Sequence, residues 1–498
     1  MEPLANLVFG LSVALRPENL VYAIAGCVIG TIVGVLPGIG PIAAVSLLLP
    51  GTFGLDATRG VILLGGVYYG AMYGGSTTSI LVRIPGEAAS VVTCLDGYAM
   101  AQKGRAGPAL MIAAVGSFVA GTIAVAALMV LAPALARFAL RFGPPEYAAL
   151  LMLGILVIGY MSSGSMLKSL LMAALGLTLG TIGIDMSGHL RFTYGIAELA
   201  DGIGVVPVAI GLFGLSEILA TSGQSASPPV VAPRLRDLPP SKEEWRASAG
   251  PIMRGTVVGF LVGAIPGPAH IISSFASYAL ERRLSRHPDR FGHGAIEGVA
   301  GPESANNAAA EAAFAPMLAL GIPSNAIMAI MMAAMMIHGV TPGPLLIREH
   351  PAVFWGFIAS MYVGNLVLLI LNLPLVAVFA TLLRIPYRIL APLIVGFCIL
   401  GVYAVNGSAF EIGVMLVMGL LGLLLRKLDY EPAPVVIGLV LAPIFEMSLR
   451  QSLILSGGSY AIFLQRPIAA SLVGLAALVI VLALVSLARR FRRPRPAS

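Results

Sequence analysis

Long apolar runs separated by short polar connections dominate the chain. Runs of about 20 residues recur along its whole length, as a hydrocarbon core about 30 Å thick requires of each membrane-spanning helix. Only helices and closed barrels satisfy their backbone groups in lipid, and these runs are too long for barrel strands. The pattern predicts an all-α polytopic membrane protein with about 10–14 transmembrane helices. The clearest runs are residues 109–136, 204–220, 352–382, 408–425 and 468–488.

One pattern interrupts these runs twice and marks an internal repeat. Residues 34–42 and 263–271 each place Pro-Gly inside an apolar run, after a ladder of glycines. Five pairs of positions share a separation of 229 residues. Such a break within a span is tolerated where the backbone is buried in protein or lines a watery cavity. The pairs are Gly26 and Gly255, Gly30 and Gly259, Gly34 and Gly263, Pro37 and Pro266, and Gly38 and Gly267.

Polar composition divides the chain into four parts. Residues 221–249 form the long hydrophilic, Pro- and Ser-rich stretch and are interpreted as a linker. Residues 1–220 are then a first transmembrane repeat and 250–448 a second. Residues 449–498 add a transmembrane helix and a basic tail, which the positive-inside rule places in the cytoplasm.

Loop charge predicts that the two repeats have opposite orientations. The loop 281–290 after the second break carries four arginines, whereas its counterpart, 51–60, carries only Arg59. Basic loops stay in the cytoplasm, so the two loops are expected on opposite sides of the membrane. Inverted-topology repeats with broken helices are frequent among secondary transporters.

Composition and the lack of catalytic motifs narrow the function. With 498 residues, 58% hydrophobic and 11% charged, and a mean hydropathy of +0.94, the chain is not a soluble protein. Its net charge of +7 lies in short loops and the tail, where it sets topology, so no nucleic-acid partner is expected. No metal-ligand spacing, nucleophile elbow or phosphate-binding loop occurs, and no removable signal peptide is expected. We therefore expect neither an enzyme nor a cofactor.

The paired breaks are the predicted binding site. A half-helix that begins after Pro-Gly presents free N–H groups and a positive dipole end to an anion. A single break is more often a packing kink, but two equivalent breaks are the best sequence indication of a transporter's binding site. The glycine ladders themselves are interpreted as surfaces of close helix packing.

Two polar segments accompany the breaks. In the first repeat, Ser76 to Ser79 follow a Gly-rich apolar run and precede a second Pro-Gly, which suits a re-entrant hairpin or a pair of broken helices. In the second repeat, Asn and Ser side chains offer donors and acceptors without charge, which favours a binding role over the alternative of a helix cap at the membrane edge. Arg83 could pair with an anion or extend to the interface. The predicted substrate-binding residues are Pro37, Gly38, Gly40, Ser76, Thr77, Thr78, Arg83, Pro266, Gly267, Ser304, Asn306, Asn307, Ser324 and Asn325.

Three acids near these segments are candidates for binding a coupling ion. Glu87, Glu303 and Glu311 are the carboxyl groups closest to the polar segments, and an intramembrane carboxylate is a functional candidate by default. His270, beside the second break, is interpreted as a hydrogen-bonded structural residue rather than a proton relay.

The combination of motifs resembles the large membrane subunit of the tripartite tricarboxylate transporters. The resemblance implies a multi-pass permease subunit of the bacterial inner membrane. It implies two protein partners, a small four-span membrane subunit and a periplasmic binding protein, and a carboxylate substrate taken up with an Na⁺ or H⁺ gradient. The resembling stretches are residues 34–41, 73–90, 96–98, 191–195, 298–307, 320–324, 338–344 and 455–458.

Two functions from different classes are compatible with the sequence. The first is import of a tricarboxylate or dicarboxylate driven by an ion gradient. The second is a membrane scaffold or sensor that binds a ligand without moving it. Symmetric broken helices favour transport, because a scaffold has no use for paired breaks.

Overall fold

The computed structural model describes residues 2–36, 40–161, 165–185, 187–221, 235–375, 378 and 387–492. Within them the regular secondary structure is helical except for a hairpin of two short antiparallel strands, β1 (Gly183–Ile184) and β2 (Leu190–Arg191). An all-helical fold follows from apolar surroundings, in which a helix satisfies its own backbone groups.

The described residues of the first half form ten α-helices and a π-helical segment, Ile210–Leu215, between the last two. Short 3₁₀ turns lie at Pro50–Thr52, Ala88–Val91 and Ala197–Leu199. The described helices of this half are α1 (Glu2–Ala14), α2 (Pro17–Val35), α3 (Pro41–Leu48), α4 (Ala57–Val82), α5 (Thr93–Gln102), α6 (Ala106–Ala139), α7 (Pro144–Met161), α8 (Met166–Leu179), α9 (Val205–Ala209) and α10 (Ser216–Thr221).

The second half repeats the order of a long helix, a break, a second helix and another long helix. Its 3₁₀ turns lie at Leu235–Asp237 and Pro288–Arg290. Its described helices are α11 (Lys242–Gly263), α12 (Ala269–Leu284), α13 (Glu297–Ala312), α14 (Phe314–Leu320), α15 (Ala326–Ile337), α16 (Leu346–Glu349), α17 (Pro351–Asn372), α18 (Tyr387–Asn406), α19 (Ala409–Lys427), α20 (Ala433–Leu455), α21 (Ile462–Gln465) and α22 (Pro467–Arg492).

Seven helices in the described part of the chain are long and apolar enough to cross a membrane. This number is below the 10–14 expected from sequence. Length explains the difference, because several apolar helices, such as α15 and the α9–α10 segment, are broken or short and reach only 10–17 residues. The seven are α2, α6, α7, α17, α19, α20 and α22.

The glycine ladders pack directly against the next long helix of their own half. A side chain at Gly30 would collide with the backbone oxygen of Val67 on α4, and one at Gly259 with that of Ala305 on α13. The flanking ladder positions make the same contacts one turn away on either side. In both halves the contacted residues are also separated by a constant number, here 238 residues, so the two helix pairs are built alike.

Two helix pairs join the halves, and each pair consists of one helix from each half. Gly176 on α8 packs against the backbone of Val435 on α20, and Gly438 on α20 packs against Ala173 on α8. The equivalent contact joins Gly211 of the π-helical segment to α19 at Gly419, with helix backbones again touching. The last helix of each half therefore packs against a helix of the opposite half.

Contacts sort the connecting loops into two faces. On the first face, His338 bonds Thr52 across 3.1 Å, and Arg59 forms an ion pair with Glu18. On the second face, Lys103 donates to the carbonyl of His293 at 2.6 Å. Further ion pairs join loops on each face. Arg466–Glu146 and Arg450–Asp185 lie on the first face, and Arg105–Glu244 lies on the second. The loop after the first break leads into the start of α4, whereas the loop after the second break contacts Lys103, which follows α5 beyond the other end of α4. The two loops therefore lie at opposite ends of this 26-residue helix.

A polar network holds the β-hairpin on the first face. Asp185 accepts hydrogen bonds from the backbone N–H groups of His189 and Ser187, and Arg450 donates to its other oxygen at 3.1 Å. The backbone bond from His189 is the main cause that lowers the pKa of Asp185 to about 2. Glu446 joins the network through paired bonds from Arg191 of 2.9 and 3.0 Å.

Two of the expected boundaries fall inside helices. Residues 242–249, expected to close the linker, are the first turns of α11, because Ser241 and Glu244 form a capping box that starts the helix early. The expected boundary at 448 lies within α20, whose buried small residues continue to Ser452. Most of the expected linker, residues 222–234, lies outside the described residues.

Candidate functional site

A cavity of about 230 Å³ lies where the broken segments of the two halves meet. It is lined by Gly40 and Pro41 at the start of α3, and by Gly267 and Pro268 before α12. Its volume suits a small molecule rather than a single water. Of the predicted binding residues, Gly40, Gly267, Ser324 and Asn325 line it, together with the coupling-ion candidate Glu87.

The main chain itself shapes this cavity. Gly267 has a φ of +140°, which side-chain-bearing residues rarely adopt, and its N–H donates to the carbonyl of Ser324 at 2.8 Å. The starts of α3 and α12 carry no side-chain cap. Pro41 has no N–H, and the N–H groups of Ala269 and Ile271 donate to the carbonyls of Gly267 and Pro268, so only part of each first turn is available to a ligand. The positive ends of both helix dipoles lie beside the lined space.

A second pair of breaks forms another part of the cavity wall. Residues 83–87 (Arg-Ile-Pro-Gly-Glu) and 321–325 (Gly-Ile-Pro-Ser-Asn) have the same separation as the ladder contacts, and Arg83 and Gly321 both have left-handed backbone conformations, with φ of 59° and 69°. Each segment ends in an N-cap: Glu87 precedes the 3₁₀ turn Ala88–Val91, and Asn325 caps α15 by accepting from Met328. Glu87 and Asn325 thus occupy equivalent positions on the cavity wall.

Two buried polar atoms without hydrogen-bond partners lie in the cavity wall. Nδ2 of Asn325 and Nδ1 of His270 are buried and have no hydrogen-bond partner among the described residues. A buried polar nitrogen without a partner costs about 1–3 kcal/mol, so such groups in a native fold require an explanation. An anion in the cavity could accept a hydrogen bond from Nδ2 of Asn325, and from Nδ1 of His270 in the tautomer that carries its proton there.

Asn306, a buried residue of α13, forms a hydrogen bond with the cavity wall. Its Nδ2 donates to Oε1 of Glu87 at 2.6 Å, while its own Oδ1 has no partner in the described part of the chain. Asn307, on the next face of the helix, donates to Ser117 on α6 at 2.7 Å. Only Asn306 therefore acts directly on a residue of the cavity wall.

The polar segment of the first half lies inside a continuous helix rather than at a tip. Ser76, Thr77, Thr78 and Ser79 are buried residues of α4. The hydroxyls of Ser76, Thr78 and Ser79 bond carbonyls one turn earlier, which keeps the helix intact and rules out a re-entrant turn at these positions. A space of only about 10 Å³ lies beside Ser76 and Thr77, too small for an organic acid.

Glu303 joins the two polar segments. The hydroxyl of Ser76 donates to its Oε2 at 2.5 Å, and the hydroxyl of Thr93 donates to Oε1. The carboxyl group is buried, as is that of Glu311, which lies about two turns further along α13. Glu311 lies beside Tyr69 and Asn365, and its Oε2 has no hydrogen-bond partner within the described ranges. Hydroxyl and carboxyl oxygens of this kind suit a small hard cation or a proton.

The remaining predicted residues lie elsewhere. Arg83 is exposed, stacks over Tyr98 at 5.8 Å and does not line the cavity. Ser304 is buried in α13, and its hydroxyl has no partner among the residues described. Pro266 precedes the lining residue Gly267, whereas Pro37 and Gly38 fall outside the described residues.

Sequence analysis missed an ion pair on the cavity wall. Arg426, in the last turn of α19, pairs with Glu217, at the start of α10, and both side chains line the cavity. Glu431 lines the same wall. These residues are far apart in sequence and carry no motif, so only the exchange of helices between the halves brings them together.

Comparison with known proteins assigns the chain to a family. The model of the tripartite tricarboxylate transporter TctA family matches residues 20–437, which include every described residue of the cavity wall. The chain belongs to the TctA family. This is a family of transporters rather than enzymes, and its tripartite name implies that a TctA subunit works with other subunits.

Two relatives of this TctA-family chain come from Agrobacterium vitis. The chain is 50% identical over 485 residues, covering 97% of both chains, to an "uncharacterized 52.8 kDa protein in TAR-I ttuC' 3'region". It is 51% identical over 227 residues to an "uncharacterized protein in TAR-II ttuC' 3'region", covering 46% of this chain and 94% of that relative. No solved structure matches the chain.

Proposed function

We propose that this chain is the permease subunit of a binding-protein-dependent secondary transporter that imports a tricarboxylate or dicarboxylate. The observation that carries the proposal is the cavity formed by both pairs of breaks, with unpartnered nitrogens of Asn325 and His270 in its wall. Family membership supplies the class of substrate, and the cavity supplies a place for it.

The chemistry of the cavity favours a carboxylate. The starts of α3 and α12, the amide of Asn325 and the Nδ1–H tautomer of His270 would attract negative charge, and they share the cavity wall with Glu87, Glu217 and Glu431. Dipoles and neutral donors of this kind would hold one carboxylate of the substrate weakly enough to allow its release on the far side of the membrane. The substrate would lie at the junction of the halves, where secondary transporters place their sites.

We also propose that the halves are inverted repeats. Support comes from the equal packing of the two ladders, the reciprocal exchange of helices and the placement of the loops after the breaks on different faces. The second face carries the arginine-rich loop 281–290 and would be cytoplasmic, as would the C-terminus of α22. Alternating access would then arise from one half moving against the other.

Uptake would be coupled to an Na⁺ or H⁺ gradient through buried carboxyl groups. Glu87 is the leading candidate, because it lines the cavity and receives the amide of Asn306, so that ion and substrate would meet at one wall. Glu303 and Glu311 are further candidates deeper in the helix packing. The partners would be a small four-span membrane subunit and a periplasmic binding protein, in a bacterial inner membrane.

Uptake into proteoliposomes tests the proposal. The chain is reconstituted with the small subunit and the binding protein, and radiolabelled citrate, succinate and acetate are offered under separately imposed Na⁺ and pH gradients. We expect accumulation of a di- or tricarboxylate under one gradient, and little uptake when either partner is omitted. Binding without accumulation under both gradients would instead identify a scaffold or sensor, and full uptake by the chain alone would contradict the dependence on partners.

A further inference from the structure

The wall of the cavity holds one permanently positive side chain among the described residues that line it, Arg426. Its guanidinium is paired with Glu217, and the side chains are 34% and 21% exposed, so both still reach the cavity. A guanidinium offers a planar fork of donors that matches a carboxylate, and it stays charged at every physiological pH. Its partner in this conformation is therefore the same chemical group that the proposed substrate carries.

Close helix packing fixes the position of this pair. Gly422 on α19 lies so near α10 that an added side chain would approach Cβ of Ser216 to 2.8 Å. Gly419, one turn earlier, is covered in the same way by Leu215. With the helix backbones held together, Arg426 and Glu217 project from adjoining positions into the same wall. The pair is thus a built feature of the junction between the halves.

A substrate with two or more negative charges requires a positively charged side chain in the site. A dicarboxylate or tricarboxylate brings at least two negative charges into a partly enclosed space, and burying a charge is costly unless it is paired. The uncapped helix starts and the unpartnered nitrogens of Asn325 and His270 can serve one carboxylate. A second carboxylate would need another strong donor.

Resting on the proposed function, we propose that Arg426 binds a substrate carboxylate in place of Glu217. Glu217 holds the guanidinium while the site is empty, and the substrate exchanges with it. Because one ion pair replaces another, the guanidinium never lies unpaired at the junction. Competition from Glu217 also keeps binding weak enough for release. The exchange selects substrates with two or more carboxylates over monocarboxylates.

A purely structural role for the pair makes the opposite predictions. If Arg426 and Glu217 only tie α19 to α10, removing either charge leaves the other without a partner and harms the protein, and removing both restores it. If Arg426 binds substrate, removing Glu217 strengthens binding, and the double variant stays defective. The two roles can therefore be separated by three variants.

The experiment compares Glu217→Gln, Arg426→Gln and the double variant of the purified full-length chain. Binding of citrate, succinate and acetate is measured by calorimetry at millimolar ligand. We expect Arg426→Gln to weaken citrate binding about ten- to a hundredfold and the double variant to remain as weak. Glu217→Gln should tighten citrate binding about two- to fivefold, since it removes the competitor of a partly exposed pair. Acetate binding should change little in any of them.

Arg59→Gln is the matched control. Arg59 also pairs with a glutamate and has the same 34% side-chain exposure, but it lies on the first face, outside the cavity. It should bind citrate like the wild type. Equal citrate binding by wild type and Arg426→Gln, or restored binding in the double variant, overturns the inference alone. Lack of binding of every probe by the wild type overturns the proposed function as well.

Discussion

At the scale of single residues, the amide of Asn306 is the contact that links a buried helix to the cavity. Its Nδ2 bonds Glu87 at 2.6 Å, and Glu87 is both a wall residue and the leading coupling-ion candidate. Asn307, its neighbour in sequence, bonds Ser117 instead. Two adjacent asparagines that look alike in the sequence therefore have different surroundings.

Replacing Asn306 by alanine should impair transport. The substitution leaves Oε1 of Glu87 without this partner, and a buried polar atom left unsatisfied costs about 1–3 kcal/mol, which corresponds to about five- to a hundredfold in the affinity of the site. Initial rates of citrate uptake in the complete reconstituted system measure the effect. Asn372→Ala is the control, because that amide donates at 2.9 Å only to Leu368 in its own helix. Equal uptake rates for wild type and Asn306→Ala would remove Glu87 and its partner from the proposed mechanism.

The sequence predicted those cavity residues that lie beside the breaks. It did not predict the residues that only contacts between the halves bring to the cavity. Glu87, Ser324 and Asn325 were found because they stand beside Pro-containing breaks, which are visible in the sequence. Ser76 to Ser79 looked like a polar tip, but hydroxyls that bond their own helix carbonyls are compatible with an unbroken span. The pair of Glu217 and Arg426 depends on contacts between halves, which no local pattern records.

At the scale of elements, the glycine ladders decide how closely the helices of each half approach. The backbones of α2 and α4 touch at Gly30, and those of α11 and α13 touch at Gly259. In most helices glycine is unfavourable by about 1 kcal/mol relative to alanine, so its repeated use marks packing that tolerates no side chain.

Gly30→Ala should destabilise the protein even though alanine favours helices. The added Cβ would collide with the backbone of Val67, and overpacking of this kind costs about 1–3 kcal/mol. Gly413→Ala on α19 is the control, because nothing lies within 4 Å of its added Cβ and the helix should gain slightly. Thermal unfolding of both variants in detergent should show a lower midpoint only for Gly30→Ala. An unchanged midpoint would mean that α2 and α4 can separate at no cost.

Element positions followed closely from the sequence, whereas element ends did not. The apolar runs at 109–136 and 468–488 lie within α6 and α22, since an apolar helix and a span have the same signature. Residues 242–249, interpreted from sequence as the end of the linker, belong to α11 because a capping box, Ser241 to Glu244, begins the helix in a polar region. Capping is a local signal and could have been recognised beforehand.

At the scale of the whole molecule, the prediction of inverted topology depends on which loops lie on each of the two faces. Residue 55 lies in the first-face loop beside Thr52, and residue 286 in the second-face loop that ends at the residues held by Asp96. Asp96 accepts from the N–H groups of Gly292, Gly294 and Ala295, so this loop is fixed to α5.

Single cysteines at positions 55 and 286 should therefore react from opposite sides of the membrane. The native Cys27, Cys94 and Cys398 are buried and can be replaced by serine or alanine beforehand. A membrane-impermeant maleimide should label position 55 in intact cells and position 286 only after permeabilisation. A cysteine at 348, on the same face as 55, serves as the control. Labelling of 55 and 286 from the same side would leave a parallel repeat.

The exchange of helices between the halves also sets an order of events during synthesis. Gly176 on α8 meets its partner Gly438 on α20 only after a further 262 residues have been made. At about 5–20 residues per second this is a delay of roughly 10–50 s. Throughout that time α8 sits in the membrane with its small-residue stripe facing lipid or insertion machinery. We expect the first half to complete its packing only after α20 has been made, so that a chain that ends midway stays incompletely folded.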